Sequence, residues 1–306
     1  MTRVLGIGEC MIEMAPAGDG NYAMGIAGDT FNTCWYLRQV GDLALSVGYL
    51  SAVGEDDVSA RMEAFMREAG IDPILARRAD RTVGLYLISL NEGERSFSYW
   101  RANSAARTLA DDLEALPELE PGDLAYFSGI TLAILPPEGR LRLHAALARA
   151  RSEGVRVVFD PNIRPALWET AETLRSEITK AAAAADVVLP SFSDEAAAFG
   201  DATPEAVATR YRAAGAELVV VKNGDDTVVV RGTDVALEIA PEPVAEVVDT
   251  TAAGDAFNAG FLAALLRGSD LSAACRAGCH LARQVIGQRG ALVAVDEMDL
   301  GEAAGR

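Results

Sequence analysis

Residues 247–262, Val-Val-Asp-Thr-Thr-Ala-Ala-Gly-Asp-Ala-Phe-Asn-Ala-Gly-Phe-Leu, hold the side chains best suited to chemistry in this chain. From Thr250 to Gly254 nothing larger than threonine occurs, so a ligand group can come close to the main chain. A helical pattern follows. The positive end of its dipole, together with outward backbone N–H groups of the turn, makes an anion cradle. Asp255 sits where that cradle meets the first helical turn. A carboxylate beside a bound anion suits proton transfer or metal binding. An ordinary helix-capping aspartate accounts for the same residue.

A second segment echoes the first. Ala27-Gly28-Asp29-Thr30-Phe31-Asn32-Thr33 matches Ala253-Gly254-Asp255-Ala256-Phe257-Asn258-Ala259 almost residue for residue, although the flanking sequences differ. Two helix N-termini that each present Gly and Asp suit a site for two substrates. Other chemistries lack material. Histidine occurs only at His144, expected on a helix surface, and His280, which leaves little for a His-rich metal site or a Ser-His-Asp triad. Lysine occurs only at Lys180 and Lys222, followed by Ala181 and Asn223, so no loop ends in Gly-Lys-Ser/Thr. Gly6-x-Gly8 lacks the third glycine of a dinucleotide fingerprint, with Met11 standing in its place. The four cysteines include no Cys-x-x-Cys pair, and Cys275 and Cys279 fit core packing of an Ala-rich helix.

Positioning such groups takes a sheet and helices. Residues 3–8 form a β-branched run ending in glycine, a buried first strand. Residues 10–26 are glycine-punctuated and extended, like a small flap, and the segment from 27 opens a helix reaching about Val40. Residues 45–53 read as a strand and 56–69 as an amphipathic helix with Gly70 just past its end. Residues 82–89 and 95–101 alternate with period two around Asn91-Glu92-Gly93-Glu94, a hairpin signature. Flap and hairpin make a small β layer, on which Tyr86, Tyr99 and Arg101 either line a cavity or lie on the surface.

From residue 124 strands and helices alternate: strands at 124–128, 155–159 and 187–189, helices at 136–152, 167–185 and from about 193. Such alternation implies a parallel sheet with helical crossovers. Ligands of such sheets bind beyond the strand C-termini. Ser128-Gly129, Asp160-Pro161-Asn162 with Arg164, Ser191 to Glu195, and Lys222-Asn223-Gly224 all fall there. Each alone fits a cap or a turn; together they favour a composite site. Residues 227–231 and 235–239 form a second hairpin, and 271–286 a last helix ending near Gly287. No linker or second core divides residues 1–306, so one α/β domain is expected.

Half of the residues are apolar, enough for a substantial core. The net charge of −18 argues against nucleic-acid or anionic-membrane partners, which need a basic face, and solubility explains the acidity more simply. No apolar run approaches membrane-spanning length and residues 3–8 do not resemble a secretory signal, so a cytoplasmic protein is expected.

Asp249-Thr-Thr-Ala-Ala-Gly-Asp-Ala-Phe-Asn258 resembles the C-terminal signature of the ribokinase-like (PfkB) carbohydrate kinases, and Gly25-Ile-Ala-Gly-Asp-Thr-Phe-Asn32 is similar to their N-terminal substrate motif. The likeness runs nearly end to end. Gly8-Glu9-Cys10-Met11-Ile12-Glu13, Tyr99-Trp100-Arg101, Ser104-Ala-Ala-Arg107, Phe127-Ser-Gly-Ile-Thr-Leu132 and Phe159-Asp-Pro-Asn-Ile-Arg-Pro-Ala-Leu-Trp168 look most like the family's 2-dehydro-3-deoxygluconate kinases.

The resemblance implies a three-layer αβα body with a mostly parallel sheet and a small β lid, here about 10–27 and 81–102. It implies transfer of the ATP γ-phosphoryl group to the primary hydroxyl of a keto-deoxy sugar acid, giving the 6-phosphate. By position Asp255 would be the catalytic base, with Ala252, Ala253 and Gly254 supplying the anion hole. Gly28, Asp29, Asn32, Tyr86, Tyr99, Arg101 and Arg164 match substrate positions. Asn162, Ser191, Lys222, Gly224 and Thr227 match nucleotide positions. The family's Asn-x-x-Glu element, which helps organise Mg²⁺, is replaced by Ser191-Phe-Ser-Asp194 followed by Glu195, so either carboxylate is a candidate for the metal. The resemblance also raises a K⁺ requirement near Asp249 and a homo-oligomer through the lid.

Charge points the same way. Arg101, Arg107 and Arg164 fall on expected site loops of an acidic chain, and a guanidinium fork suits a carboxylate. A neutral sugar would leave such arginines without a partner, although Arg107 by itself fits a cap or a surface ion pair. The alternatives are another sugar or nucleoside kinase of the same fold, acting on a neutral acceptor, or a sugar-acid-binding sensor without catalysis.

Overall fold

The computed structural model describes residues 2–41, 45–91, 94–244 and 246–296. Its first half runs β1 (Thr2–Ile7), β2 (Met11–Gly18), β3 (Asn21–Ala27), α1 (Asp29–Val40), β4 (Leu45–Val53), α2 (Asp57–Glu68), β5 (Asp72–Arg77), β6 (Gly84–Asn91) and β7 (Glu94–Trp100). Next come β8 (Leu124–Ser128), α3 (Gly129–Ile134), α4 (Pro137–Ser152), β9 (Arg156–Asp160), α5 (Ala171–Ala183), β10 (Val187–Val188), α6 (Phe192–Phe199) and α7 (Pro204–Ala214). The chain continues through β11 (Leu218–Val221), β12 (Val228–Gly232), β13 (Ala236–Ile239), α8 (Ala253–Leu266) and α9 (Leu271–Ile286).

Among the described residues the large sheet has the order β13-β12-β11-β10-β9-β8-β1-β4-β5. It is parallel from β5 to β11, with β12 and β13 added antiparallel. Apolar residues on both strand faces drive this arrangement, as burial on two sides requires. In β9, Val157 and Phe159 enter one core and Val158 the other; in β11, Val219 and Val221 oppose Val220. One core lies under α1, α2, α8 and α9, the other under α3, α4, α5 and α7. No described helix is long and apolar enough to cross a membrane.

A second sheet has the order β3-β2-β6-β7. Its inner face presents Met11, Ala27, Tyr86 and Ile88, which pack with Ala252 and Ala291 of the large body. The small layer therefore covers the turn before α8, because its period-two alternation gives it one apolar face. The turn residues 92 and 93 lie outside the described residues.

Several elements depart from the sequence expectation. The expected helix from 167 starts at Ala171: residues 165–167 form a short 3-10 turn, and the Thr170 side chain caps the helix by accepting from Thr173 N. β5 and α3 are unheralded, since an edge strand such as Asp72–Arg77 lacks alternation and α3 has only six residues. α7 had a legible start, with Thr203 as cap and Pro204 in the first turn. His144 is less exposed than expected, its Nε2 lying 3.1 Å from Glu177 Oε2 between α4 and α5.

Candidate active site

Ala252, the residue before α8, has φ 60 in the left-handed region, and the helix N-terminus carries no side-chain cap. First-turn N–H groups have no intrahelical acceptor, although that of Ala253 turns back to the Thr250 carbonyl oxygen at 3.2 Å. A Cβ built on Gly254 would meet only Lys222 Nζ, at 3.6 Å, which leaves room above the main chain. Asp249, at 6% exposure, ties the turn down: its Oδ1 accepts from Thr251 N at 3.1 Å and its Oδ2 from Gly290 N at 2.8 Å. The donor set and the open space fit a phosphate group.

Asp255 stands in the first turn of α8, where its Oδ2 accepts from Asn32 Nδ2 of α1 at 2.8 Å. Enclosure pushes its carboxyl up to about 8, with the Asp29 and Asp160 carboxylates adding to the rise against the Asn32 hydrogen bond and the Lys222 charge. A carboxylate so tuned can accept a proton near neutral pH. Asn32 also uses its Oδ1 to accept from Gly28 N at 3.2 Å. Asp29 is fixed from elsewhere, its Oδ2 accepting from Asn162 Nδ2 at 2.8 Å. Gly28 permits a close approach, since an added Cβ would lie 2.2 Å from the Glu9 carbonyl oxygen.

Behind these groups lies a buried polar network. Lys222 Nζ donates to Asp160 Oδ2 and to Asn258 Oδ1, each at 3.0 Å. Asn258 Nδ2 reaches Asp160 Oδ2 at 2.6 Å and the Tyr126 hydroxyl at 3.0 Å. The Thr33 hydroxyl stands 3.2 Å from both Tyr126 OH and the Asp255 carbonyl oxygen. Burial, with the Asp160 and Asp255 charges adding to it, holds the Tyr126 phenol well above its ordinary range, so it stays neutral. Every member of the network thus finds partners, as low-dielectric burial demands.

At the small sheet Arg101 forms a buried ion pair with Glu9, and Tyr86 donates its hydroxyl to Glu13. Tyr99 is exposed, 5.9 Å from Tyr86 between ring centroids, with the Arg101 guanidinium 5.9 Å from its own ring. Arg164 is half-exposed and pairs with Asp194 at 3.2 Å. The expectation that a neutral acceptor would leave these arginines unpartnered therefore fails, because the acidic chain supplies both with carboxylates. Arg101 Nε nonetheless stays buried without a hydrogen-bond partner, as does Glu9 Oε1.

The two metal candidates diverge. Glu195 is fully buried, bonded to Arg210 at 2.7 Å and Tyr211 OH at 2.8 Å, and burial pushes its carboxyl up to about 7. It faces α7, away from the strand ends. Asp194 lies on the site side, where its carboxyl, raised mainly by burial, also feels Arg164, Asp160 and Lys222. No cluster of three or more acidic, His or Cys ligands occurs among the described residues. Asp194, a single carboxylate on the site side, fits a divalent cation held chiefly by substrate phosphates and water.

Ser191 and Lys222 are bridge partners at adjacent strand ends, and Gly224 (φ 62) and exposed neighbours lead to half-buried Thr227. Asn162, expected on the nucleotide side, donates its side-chain amide to Asp29 of α1 at 2.8 Å. The sequence marks Asp160 only as part of a polar cluster at the strand ends, and does not mark Glu9, Glu13, Tyr126 or Asn258 as site residues. Glu9 carried a weak signal, a carboxylate directly after an apolar strand; Tyr126 and Asn258 lie among core-like residues and carried none.

The chain is 38% identical over 301 residues to the 2-dehydro-3-deoxygluconokinase of Dickeya dadantii, covering 95% of this chain and 97% of that protein. It is 36% identical over 301 residues to the enzyme of the same name from Haemophilus influenzae, covering 96% of each. The aminoimidazole riboside kinase of Salmonella enterica, solved with aminoimidazole riboside and an ATP analogue, has the same fold, with TM-score 0.84 at 23% identity over 99% of this chain and 97% of that one. The model of the family described as pfkB family carbohydrate kinases matches residues 1–298, and the chain belongs to that family of sugar kinases.

Proposed function

We propose that this enzyme phosphorylates the primary hydroxyl of 2-dehydro-3-deoxy-D-gluconate at the expense of ATP, giving the 6-phosphate, within one kinase domain whose small sheet acts as the lid. The observation that carries the phosphoryl-transfer reading is Asp255, held by Asn32 at the open N-terminus of α8. Near-full-length likeness to two proteins named 2-dehydro-3-deoxygluconokinase supports the acceptor.

Phosphoryl transfer asks mainly for positioning and charge neutralisation. Asp255 accepts the hydroxyl proton, while the N–H groups of Ala252, Ala253 and Gly254 hold the charge developing on the transferred group. Gly28, Asp29 and Asn32 orient the acceptor, and Arg101 and Arg164, flanked by Tyr86 and Tyr99, take its carboxylate. Ser191, Lys222, Gly224 and Thr227 line the nucleotide side. A bound Mg²⁺ would supply positive charge to the phosphates, and Asp194 rather than Glu195 is the residue that would hold its water shell. The small sheet over Ala252 excludes water. K⁺ near the Asp249 backbone and pairing of copies through the small sheet belong to the same reading; omission of K⁺ and sedimentation test them.

The Arg101–Glu9 pair favours a second reading, a neutral-sugar kinase, because the guanidinium charge is already balanced. A coupled ADP assay on 2-dehydro-3-deoxygluconate, its galacto epimer, fructose, ribose and adenosine separates the two. Preference for fructose or ribose would overturn the sugar-acid assignment.

A further inference from the structure

Asp160, at 3% exposure, ends β9 with its two carboxylate oxygens turned to opposite halves of the site. Oδ1 accepts from the Asn162 backbone N–H at 3.1 Å. Oδ2 accepts from Asn258 Nδ2 at 2.6 Å and from Lys222 Nζ at 3.0 Å. On the first branch, Asn162 stands at φ 32, a conformation that costs a residue with a Cβ, and its side-chain amide reaches Asp29 Oδ2 at 2.8 Å. On the second, Lys222 Nζ is braced by Asn258 Oδ1 at 3.0 Å and lies 3.6 Å from the place a Gly254 Cβ would take. Acceptor side and phosphate side thus hang from one buried carboxylate.

We propose that Asp160 is a positioning residue that sets both halves of the site at once, holding Asp29 through Asn162 and holding Lys222 against the anion turn. Charge-assisted hydrogen bonds are short and directional, so such a bracket fixes its dependants closely. The gain lies in registration, because in-line transfer is sensitive to displacements of about 1 Å. A bond whose only work was stability would not need the unfavourable turn at Asn162.

The inference rests on the phosphoryl-transfer reading, and the two halves can be broken separately. Asp160→Asn keeps an acceptor for Asn162 N–H but turns an amide toward Lys222 and Asn258. The calorimetric Kd for ADP should rise about tenfold and kcat fall about 100-fold, while acceptor Kd stays within about threefold. Asn162→Gly keeps the left-handed turn and removes the amide that holds Asp29. It should give the opposite split, with acceptor Kd raised about tenfold and ADP Kd unchanged. Should Asp160→Asn fail to fold, Asn162→Gly carries the test by itself, and an unchanged acceptor Kd in that variant overturns the bracket. Equal losses of both ligands in the two variants, or near-normal kcat in both, overturn the bracket. A wild-type protein that uses a neutral sugar overturns the sugar-acid reading alone, and the split is then measured with that sugar. One that transfers phosphate to no acceptor overturns both.

Discussion

Two helix N-termini with nearly the same sequence are built differently in this fold. Ala27-Gly28-Asp29-Thr30-Phe31-Asn32 begins α1 at Asp29, whereas Ala253-Gly254-Asp255-Ala256-Phe257-Asn258 begins α8 at Ala253, two residues earlier in the motif. Asp29 is therefore the first helical residue and Asp255 the third. Gly28 is needed because the Glu9 backbone passes at 2.2 Å from its missing Cβ; beside Gly254 stands only Lys222 Nζ, at 3.6 Å. Asn32 turns out to Asp255, while Asn258 turns inward to Lys222 and Asp160. Local sequence makes a glycine-aspartate turn into a helix, and what stands opposite decides which partners its Asp and Asn find.

The sharpest test of this contrast exchanges the two carboxylates for amides. Asp255→Asn should lower kcat by about 10²–10⁴ with ADP affinity nearly unchanged, as loss of a general base predicts. Asp29→Asn should instead act mainly on acceptor KM. Near-normal turnover in Asp255→Asn would remove the base assignment.

The glycines come next. Gly254→Ala should leave thermal stability intact while lowering kcat/KM for ATP on the order of 10- to 100-fold, because the methyl group occupies the phosphate approach. Gly28→Ala should destabilise the fold by about 1–3 kcal/mol, since the Glu9 backbone must shift. Melting temperature and steady-state kinetics on both variants check the pair; equal stability losses would erase the distinction.

Arg101→Leu should raise KM for the keto acid about 10-fold or more, with much less effect on any neutral sugar accepted. It also leaves Glu9 buried without its partner, so adding Glu9→Gln should recover stability but not KM. Equal KM effects on acid and neutral acceptors would argue against carboxylate recognition.

The same contrast also reads out in pH. The Asp255 carboxyl is raised from its ordinary value to about 8, so below that pH the folded state binds a proton the unfolded chain has lost. Its contribution to stability is full below about pH 4 and declines as pH rises toward 8, while kcat/KM climbs over the upper part of that range as the base ionises. Glu195, raised to about 7, adds to the same decline. Asp255→Asn should therefore flatten only the Asp255 part of the stability profile, read from chemical denaturation across pH.

Legibility in the sequence followed the range of the interactions. β4, β8, α9 and the strand pair β6 and β7 were readable because periodicity and turn residues are local. β5 was missed for want of a pattern, and α7 despite its cap. In the site, the anion turn and Asp255 were visible because small residues and one carboxylate sit together in the chain. The side of the site to which Asn162 belongs was not, since its partner Asp29 comes from the other half of the molecule.

The sequence by itself determined the class of chemistry and the alternation of strands and helices, for these rest on neighbours in the chain. Only the tertiary structure decided that Asp194 faces the strand ends while Glu195 is spent on Arg210 and Tyr211, that Glu9 balances Arg101, and that Lys222 lies buried beneath the anion turn. A side chain's partner depends on which strands the sheet places next to one another, and that order arises from burying two apolar faces at once, which no short stretch encodes.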